Sequence, residues 1–434
     1  MGKFRAFFTI LATSITYSIC AAEQAPSKNQ VAVATESNVA QDQDLVAAGP
    51  RATGDRSVGE RDNEALRQWI NARRQVTVKE LGGALSITGD VHTEMQSTSE
   101  TRNGIRQRGH GGATHLPQYN YDIEANLILD YRATNSWSVI KFKFDNDAGI
   151  VGGTSNKVKL DRAYFGYRFF EKRTTYADVE MGRKRLNLIF DSKIEFDSMF
   201  DGVRFKIDHA SEKIGDAYGV IGAFLIRESQ NRFGYAGELG LQNIANTKFY
   251  TKYSLIDWDT KKNPTDEQLH FIVSQLMIGY KWIPKIHLKK FIDIYSAVLT
   301  NSAAQKLAIT RHKRANWGGY AGVSIGEIRK QGDWSLDANY QIVAAQAIPD
   351  FDVSGIGLGN AAQNGFYHSR SGKDNDYKTA EGNVNYRGYN ITLQYLLTNN
   401  LNLFQSYAQT VTLNDKIGPF RKYYNYEIDF IYLW

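Results

Sequence analysis

The stretch that most constrains this chain is its last twelve residues, Tyr423 to Trp434, which read YYNYEIDFIYLW. Read back from the end, every second residue is large and aromatic or apolar: Trp434, Tyr432, Phe430, Ile428, Tyr426 and Tyr424. The positions between them, Leu433, Ile431, Asp429, Glu427, Asn425 and Tyr423, turn polar away from the terminus. A period of two means a strand with two unlike faces. One such strand fits a soluble sandwich as well as a membrane barrel, so the rest of the chain must decide.

From Leu81 onward the same period recurs. Sixteen segments carry it: 83–95, 119–132, 136–146, 157–170, 173–183, 199–208, 217–227, 232–242, 246–258, 268–282, 289–300, 315–325, 332–344, 384–397, 400–411 and 421–434. Ile123, Ala125, Leu127 and Leu129 alternate with Glu124, Asn126 and Asp130, and Val203, Phe205 and Ile207 alternate with Arg204, Lys206 and Asp208. Three checks favour a transmembrane barrel. With an even count and both ends on one side, tight connections (133–135, 171–172, 242–245, 398–399) alternate with long ones (96–118, 184–198, 301–314, 345–383), which is the habit of membrane barrels. Pro117, Pro264, Pro284, Pro349 and Pro419 all fall in connections, as they must where every strand is paired. Trp137, Trp258, Trp282, Trp317, Trp334 and Trp434 all fall near strand ends, where aromatic girdles belong. The expected fold is all-β: a 16-stranded antiparallel transmembrane β-barrel over 81–434, with a short N-terminal helical or disordered extension.

Composition agrees. Twelve per cent of residues are aromatic and glycine is abundant, a strand-forming mixture. After residue 22 no run of 18 apolar residues exists, which argues against membrane helices but not against a barrel, whose alternation hides the lipid face. A net charge of +6 spread over 434 residues is not the concentrated patch of a nucleic-acid binder. Residues 1–22 read as a secretory signal: Lys3 and Arg5, an apolar run from Phe7 to Ile19, then Cys20-Ala21-Ala22. The single cysteine lies there, so the mature chain is expected to hold no disulfide or cysteine metal site. Residues 23–80 read as a flexible periplasmic segment, with a short helix over Glu60–Arg74 presenting Leu66, Trp69 and Ile70.

Residues 136–208 carry the most distinctive text. The Arg162–Tyr167 strand (RAYFGY), the Gly182-Arg183 strand end and the loop closing on Phe200-Asp201-Gly202-Val203 resemble the putative-porin family of Gram-negative outer membranes, and more distantly the phosphate- and carbohydrate-selective porins. With the terminal strand, the resemblance covers Leu81 to Trp434. It implies a water-filled pore in the cell outer membrane, often homotrimeric, with the third outer loop folded inward. It also makes Trp434, Tyr432 and Phe430 part of the signal read by the barrel assembly machinery.

The residues themselves allow a constriction here. Lys141, Lys143, Arg162, Arg168, Arg204 and Lys206 fall opposite the apolar stripe, giving a basic wall, and the loop that follows carries Asp191, Glu195, Asp197 and Asp201 around Lys193. Opposed charges across a narrow section would select polar solutes. Equally, such charges are ordinary solvated lumen residues of a wide barrel.

Other motifs carry less. Gly322-Val323-Ser324-Ile325-Gly326 spells a nucleophile elbow but ends a strand rather than bridging strand and helix. Gly357 to Ala362 spells a dinucleotide fingerprint without a βαβ unit. His110 and His115 are too few for a metal site. The run Gly318–Gly322 suits a close approach, either of a neighbouring strand or of another surface. The expected function is a porin for passive diffusion of small hydrophilic solutes and ions, with outer-membrane lipid around it and neither cofactor nor nucleic acid involved. The alternatives are a surface adhesin or structural protein built on the long loop 345–383, and a barrel enzyme.

Overall fold

The computed structural model of the chain describes residues 76–78, 82–114, 116–147, 157–211, 213–228, 232–258, 271–282, 284, 290–306, 312–356, 384–417 and 419–434. The expected signal sequence, the Glu60–Arg74 helix, His115 and the Gly357–Ala362 motif lie outside the described residues.

Sixteen long strands form one antiparallel sheet: β1 Gly83–Arg102, β2 Tyr119–Ala133, β3 Ser136–Asp147, β4 Lys157–Lys172, β5 Thr175–Arg185, β6 Met199–Ser211, β7 Gly215–Arg227 and β8 Arg232–Gln242, then β9 Phe249–Trp258, β10 Phe271–Trp282, β11 Ile292–Asn301, β12 Trp317–Gly326, β13 Trp334–Val343, β14 Tyr386–Leu396, β15 Leu401–Thr412 and β16 Arg421–Leu433. Each pairs with its neighbours in sequence, and β16 pairs back onto β1 from Arg421↔Arg102 to Leu433↔Asp90. The barrel is therefore closed, with no free sheet edge to satisfy in an apolar medium. The terminal stretch singled out above is the strand that closes it.

Two short strands add to the rim. Val76–Val78 pairs with Gly83–Leu85 and so continues the edge of β1 beyond β16, five residues ahead of the barrel start expected at 81. Ile105–Arg106 folds back on Thr101–Arg102, because β1 runs to Arg102 instead of stopping near 95.

Register fixes the faces. Ile87, Val91 and Met95 on β1, Ile123 and Leu127 on β2, and Tyr426, Phe430, Tyr432 and Trp434 at the end of the chain are all exposed outward. Their sequence neighbours Thr88, Asp90, Asn126, Asp429 and Ile431 are buried inward. An outward apolar band over an inward polar wall is the pattern a lipid bilayer demands. The girdle is less complete than tryptophan positions suggested. Trp282, Trp317 and Trp434 are exposed, but Trp137 and Trp258 point into the barrel and are buried. Position near a strand end does not fix the face, whereas parity does: Trp137 shares its face with Lys141, and Trp258 with Ile256.

Trp434 is held by more than the end of a strand. Its backbone N–H donates to the Gly89 carbonyl at 3.0 Å, and the Gly89 N–H donates to its carbonyl at 3.0 Å. A Cβ at Gly89 would lie 2.5 Å from the indole and 2.4 Å from the Asn126 carbonyl, so ring and neighbouring strand together leave room only for glycine.

Candidate functional site: the lumen and its inward loops

Two connections on the far side from the terminus fold into the barrel. The first, 186–198, is the third connection on that side; it begins with a 3-10 turn at Leu186–Leu188. The second starts after β13 and runs through 344–356. They meet each other: Phe196 and Ser198 donate backbone N–H bonds to the two carboxylate oxygens of Asp352 at 3.1 and 2.9 Å. The Ser354 N–H donates to the Ile194 carbonyl at 3.2 Å and its hydroxyl to the Glu195 carbonyl at 2.8 Å.

Together these loops and the facing wall make an apolar core inside the barrel. Leu186, Ile189, Phe190, Ile194 and Phe196 from the first loop and Ala345, Ala347, Ile348 and Val353 from the second pack with Val220, Phe224, Ile256, Trp258, Phe271, Val273 and Tyr295 of β7–β11. A Cβ at Gly318 on β12 would lie 2.9 Å from Leu299 of β11 and 3.2 Å from the Ile342 carbonyl of β13, with Ile194 of the loop at 3.5 Å. The glycine run thus serves the close approach of neighbouring strands, with the loop packing over Gly318 at ordinary contact distance. Polar anchors tie the first loop to the wall. Lys252 of β9 pairs with Asp191, Ser192 donates to Gln275 at 2.7 Å, and Lys193 lies 3.5 Å from Asp337 of β13.

The remaining wall differs. On β16, β1, β2 and β3 the inward residues Asn425, Glu427, Glu94, Asp122, Glu124 and Lys143 are all partly exposed, so this side of the lumen faces solvent. It is acidic. Register places Asp429, Glu94 and Asp122 side by side on three adjacent strands, with His92 bonded to both Asp90 and Asp429. Like charges directly opposite on a sheet destabilise it.

The nine residues expected at a constriction fall into two groups. Lys141, Lys143, Arg162, Arg168, Arg204 and Lys206 all point inward, on β3, β4 and β6, as parity required. They do not form an uncompensated basic wall. Lys141 and Arg162 flank Asp161 at 3.5 and 3.4 Å, Lys143 contacts Glu124 at 2.6 Å, Arg168 meets Asp178 at 2.9 Å, Arg204 meets Glu180 at 2.6 Å, and Lys206 meets Asp208 at 2.9 Å. Glu180 also holds Lys184 and accepts from the Trp137 indole at 3.0 Å. Asp178, Glu180 and Lys184 share one face of ADVEMGRKR on β5, and reading their parity in the sequence would have found them. A β-bulge between Lys141 and Phe142 turns both Asp161 and Arg162 inward, a shift that alternation does not reveal.

The loop carboxylates go elsewhere. Asp191 reaches β9, Asp197 lies 3.4 Å from Arg185, and Asp201 pairs with Arg183 at 2.7 Å near the rim. Glu195 is buried, and among the described residues neither of its oxygens has a hydrogen-bond partner. Ser324 lies along β12, with Asp293 and Asp337 as its register neighbours in place of a histidine. Among the described residues no cluster of His, Cys, Asp and Glu has the geometry of a metal site.

Comparison with known proteins adds the fold. No protein-family model matches the chain, and no curated relative matches by sequence. Among solved structures it is similar to OprB of Pseudomonas putida, with a TM-score of 0.53 at 8% identity over 82% of this chain and 96% of that one. Weaker likenesses are a Rhodopseudomonas blastica porin mutant (TM-score 0.40, 8% identity, 80% and 100% covered) and a loop-deletion mutant of Vibrio cholerae OmpT (0.43, 10% identity, 81% and 100% covered). The likeness to OprB shows the fold: the chain is a porin-like antiparallel β-barrel.

Proposed function

We propose that the chain forms a water-filled channel through which small hydrophilic solutes and ions diffuse passively. One observation carries this reading: the inward face of β16 and β1–β3 is polar and in contact with solvent, beside loops that fill the opposite side. Sixteen strands are wide enough to leave an aqueous passage, and the two loops narrow it without requiring a cofactor. The acidic row Asp429–Glu94–Asp122 lines the wet wall. The basic residues on β3–β6 are matched by carboxylates, so the wall the solute meets favours cations.

Signal-directed export, barrel insertion through the terminal aromatic and assembly as a homotrimer complete the proposal. Gln405 and Gln409 on β15 face outward, where lipid would leave them poorly solvated; they bond to Tyr426 and Tyr389. A subunit contact would cover this polar strip. Single-channel recording in a planar bilayer tests the function: a steady open conductance is expected, and a folded barrel that never conducts would refute it.

A further inference from the structure

Glu195 and Asp352 occupy one dry junction between the two inward loops. Both are buried, at 1% and 0% exposure. Asp352 collects the N–H groups of Phe196 and Ser198 and, through its own carbonyl, that of Asp197 at 3.3 Å. It thereby clamps Phe196, a non-glycine residue held at φ 81°; such a backbone persists only where its surroundings enforce it. Glu195, the residue before, has two buried oxygens to which nothing among the described residues is bonded. The cations nearby are committed elsewhere. On the same loop Lys193 is with Asp337 and Asp191 with Lys252 of β9, while the exposed Asp197 is with Arg185; from the wall, Glu238 of β8 accepts the Asp191 N–H at 3.1 Å. Asp352 is the charged group that faces Glu195 from the second loop.

We propose that this carboxyl pair is a proton-dependent latch: protonated, it holds the loops together across the lumen, and ionised, it releases them and widens the channel. The proposal rests on the channel reading above for its consequence, though not for its chemistry. Two carboxylates cannot both ionise in a dry junction without a cation. Burial pushes the Glu195 carboxyl well above its ordinary range, with Asp352 adding to the effect. Burial likewise raises Asp352 to about 7, outweighing the N–H donors that oppose the shift. In the released loops both would titrate near 4. Below that pH both states are protonated and the latch has its full stability. Above it the released state sheds protons that the latched state keeps, so the latch weakens through pH 7. The latched-to-released ratio should fall by up to about tenfold per pH unit for each titrating group.

The test uses the full-length barrel folded in detergent. Trp258 packs edge-on against Phe351 of the second loop at 5.2 Å and against Phe224 at 5.4 Å. Its emission, taken as the difference from W258F, should shift to the red as pH rises from 5 to 8. Glu195→Gln should abolish most of that shift, and Asp352→Asn should reduce it. The same variants should flatten the pH dependence of single-channel conductance. A flat wild-type emission, or variants that shift like wild type, would overturn the latch whether or not the barrel conducts. Absence of conductance alongside the expected fluorescence would instead overturn the channel and leave the latch standing.

Discussion

The two sides of this barrel solve the same geometric problem by opposite chemistry. Along β7–β11 the inward wall is largely apolar, and two loops dock on it as they would on the core of a soluble protein. Along β16 and β1–β6 the wall is charged and touches either solvent or its own ion pairs. A barrel interior therefore need not be uniform. Where loops supply apolar side chains the wall answers with Phe, Ile, Val and Trp, and where water remains it answers with carboxylates and cations. Each side can be broken separately.

The largest effect is expected on the dry side. Phe196 is buried in the loop core and tilted against Phe190 at a centroid distance of 5.4 Å. Phe196→Ala should cost loop docking about 3–5 kcal/mol and undo the clamp on Asp352. The barrel ladder does not depend on it. Conductance should rise several-fold while heat-modifiable gel mobility stays normal. Loss of both together would mean that the loops and the barrel fold as one unit.

A second test breaks the outer face of the wet side. Leu127 is exposed outward on β2, and Asn126 beside it is buried inward, donating to Asp90 at 2.8 Å and Glu124 at 2.7 Å. Leu127→Arg should cost about 2–4 kcal/mol near mid-bilayer, whereas Asn126→Arg enters an acidic neighbourhood and should cost less. Refolding yield in lipid separates them, and equal yields would contradict the register.

The third is smaller and concerns closure. Gly89→Ala would place a methyl group 2.4 Å from the Asn126 carbonyl and 2.5 Å from the Trp434 indole and should cost about 1–3 kcal/mol as overpacking. Changing Trp434 as well to a smaller residue should relieve the part of the cost that comes from the ring and leave the part that comes from the Asn126 carbonyl. A double mutant that is no better than Gly89→Ala alone would show that the backbone pairing, and not the ring, is what the glycine protects.

The barrel was legible in the sequence because alternation is a local signal: all sixteen strands, their order and their faces follow from the parity of residues such as Leu127 and Val203. The candidate site was legible only in part. Parity put Lys141, Arg162, Arg204 and Lys206 inside, yet their partners Asp161, Asp178 and Glu180 went unread, and with them the neutrality of that wall. The destinations of Asp191 and Glu195 depended on how a loop folds back over 60 residues of sheet and on a second loop 150 residues later. No period encodes such contacts. The small apolar residues Ala345, Ala347 and Ile348, which help form the dry core, look from sequence like the start of an ordinary exposed loop.

The last and smallest effect concerns selectivity, and it separates two readings of the charged wall. If the ladder on β3–β6 set ion preference, neutralising it should dominate. Arg204 and Lys206 are buried against Glu180 and Asp208, so a passing ion meets these pairs as dipoles. Glu94 and Glu427 are partly exposed on the opposite register row and face the lumen beside Asp429. Screening by water and salt limits each such charge to roughly 1 kcal/mol or less on a permeating ion. Changing Glu94 and Glu427 together to Gln should therefore move the reversal potential in a salt gradient toward anions by a modest amount. Replacing Lys206 and Asp208 together by Gln and Asn, which removes a neutral pair, should move it less. A larger shift from the second double variant would return selectivity to the ladder and leave the acidic row as a solvated surface.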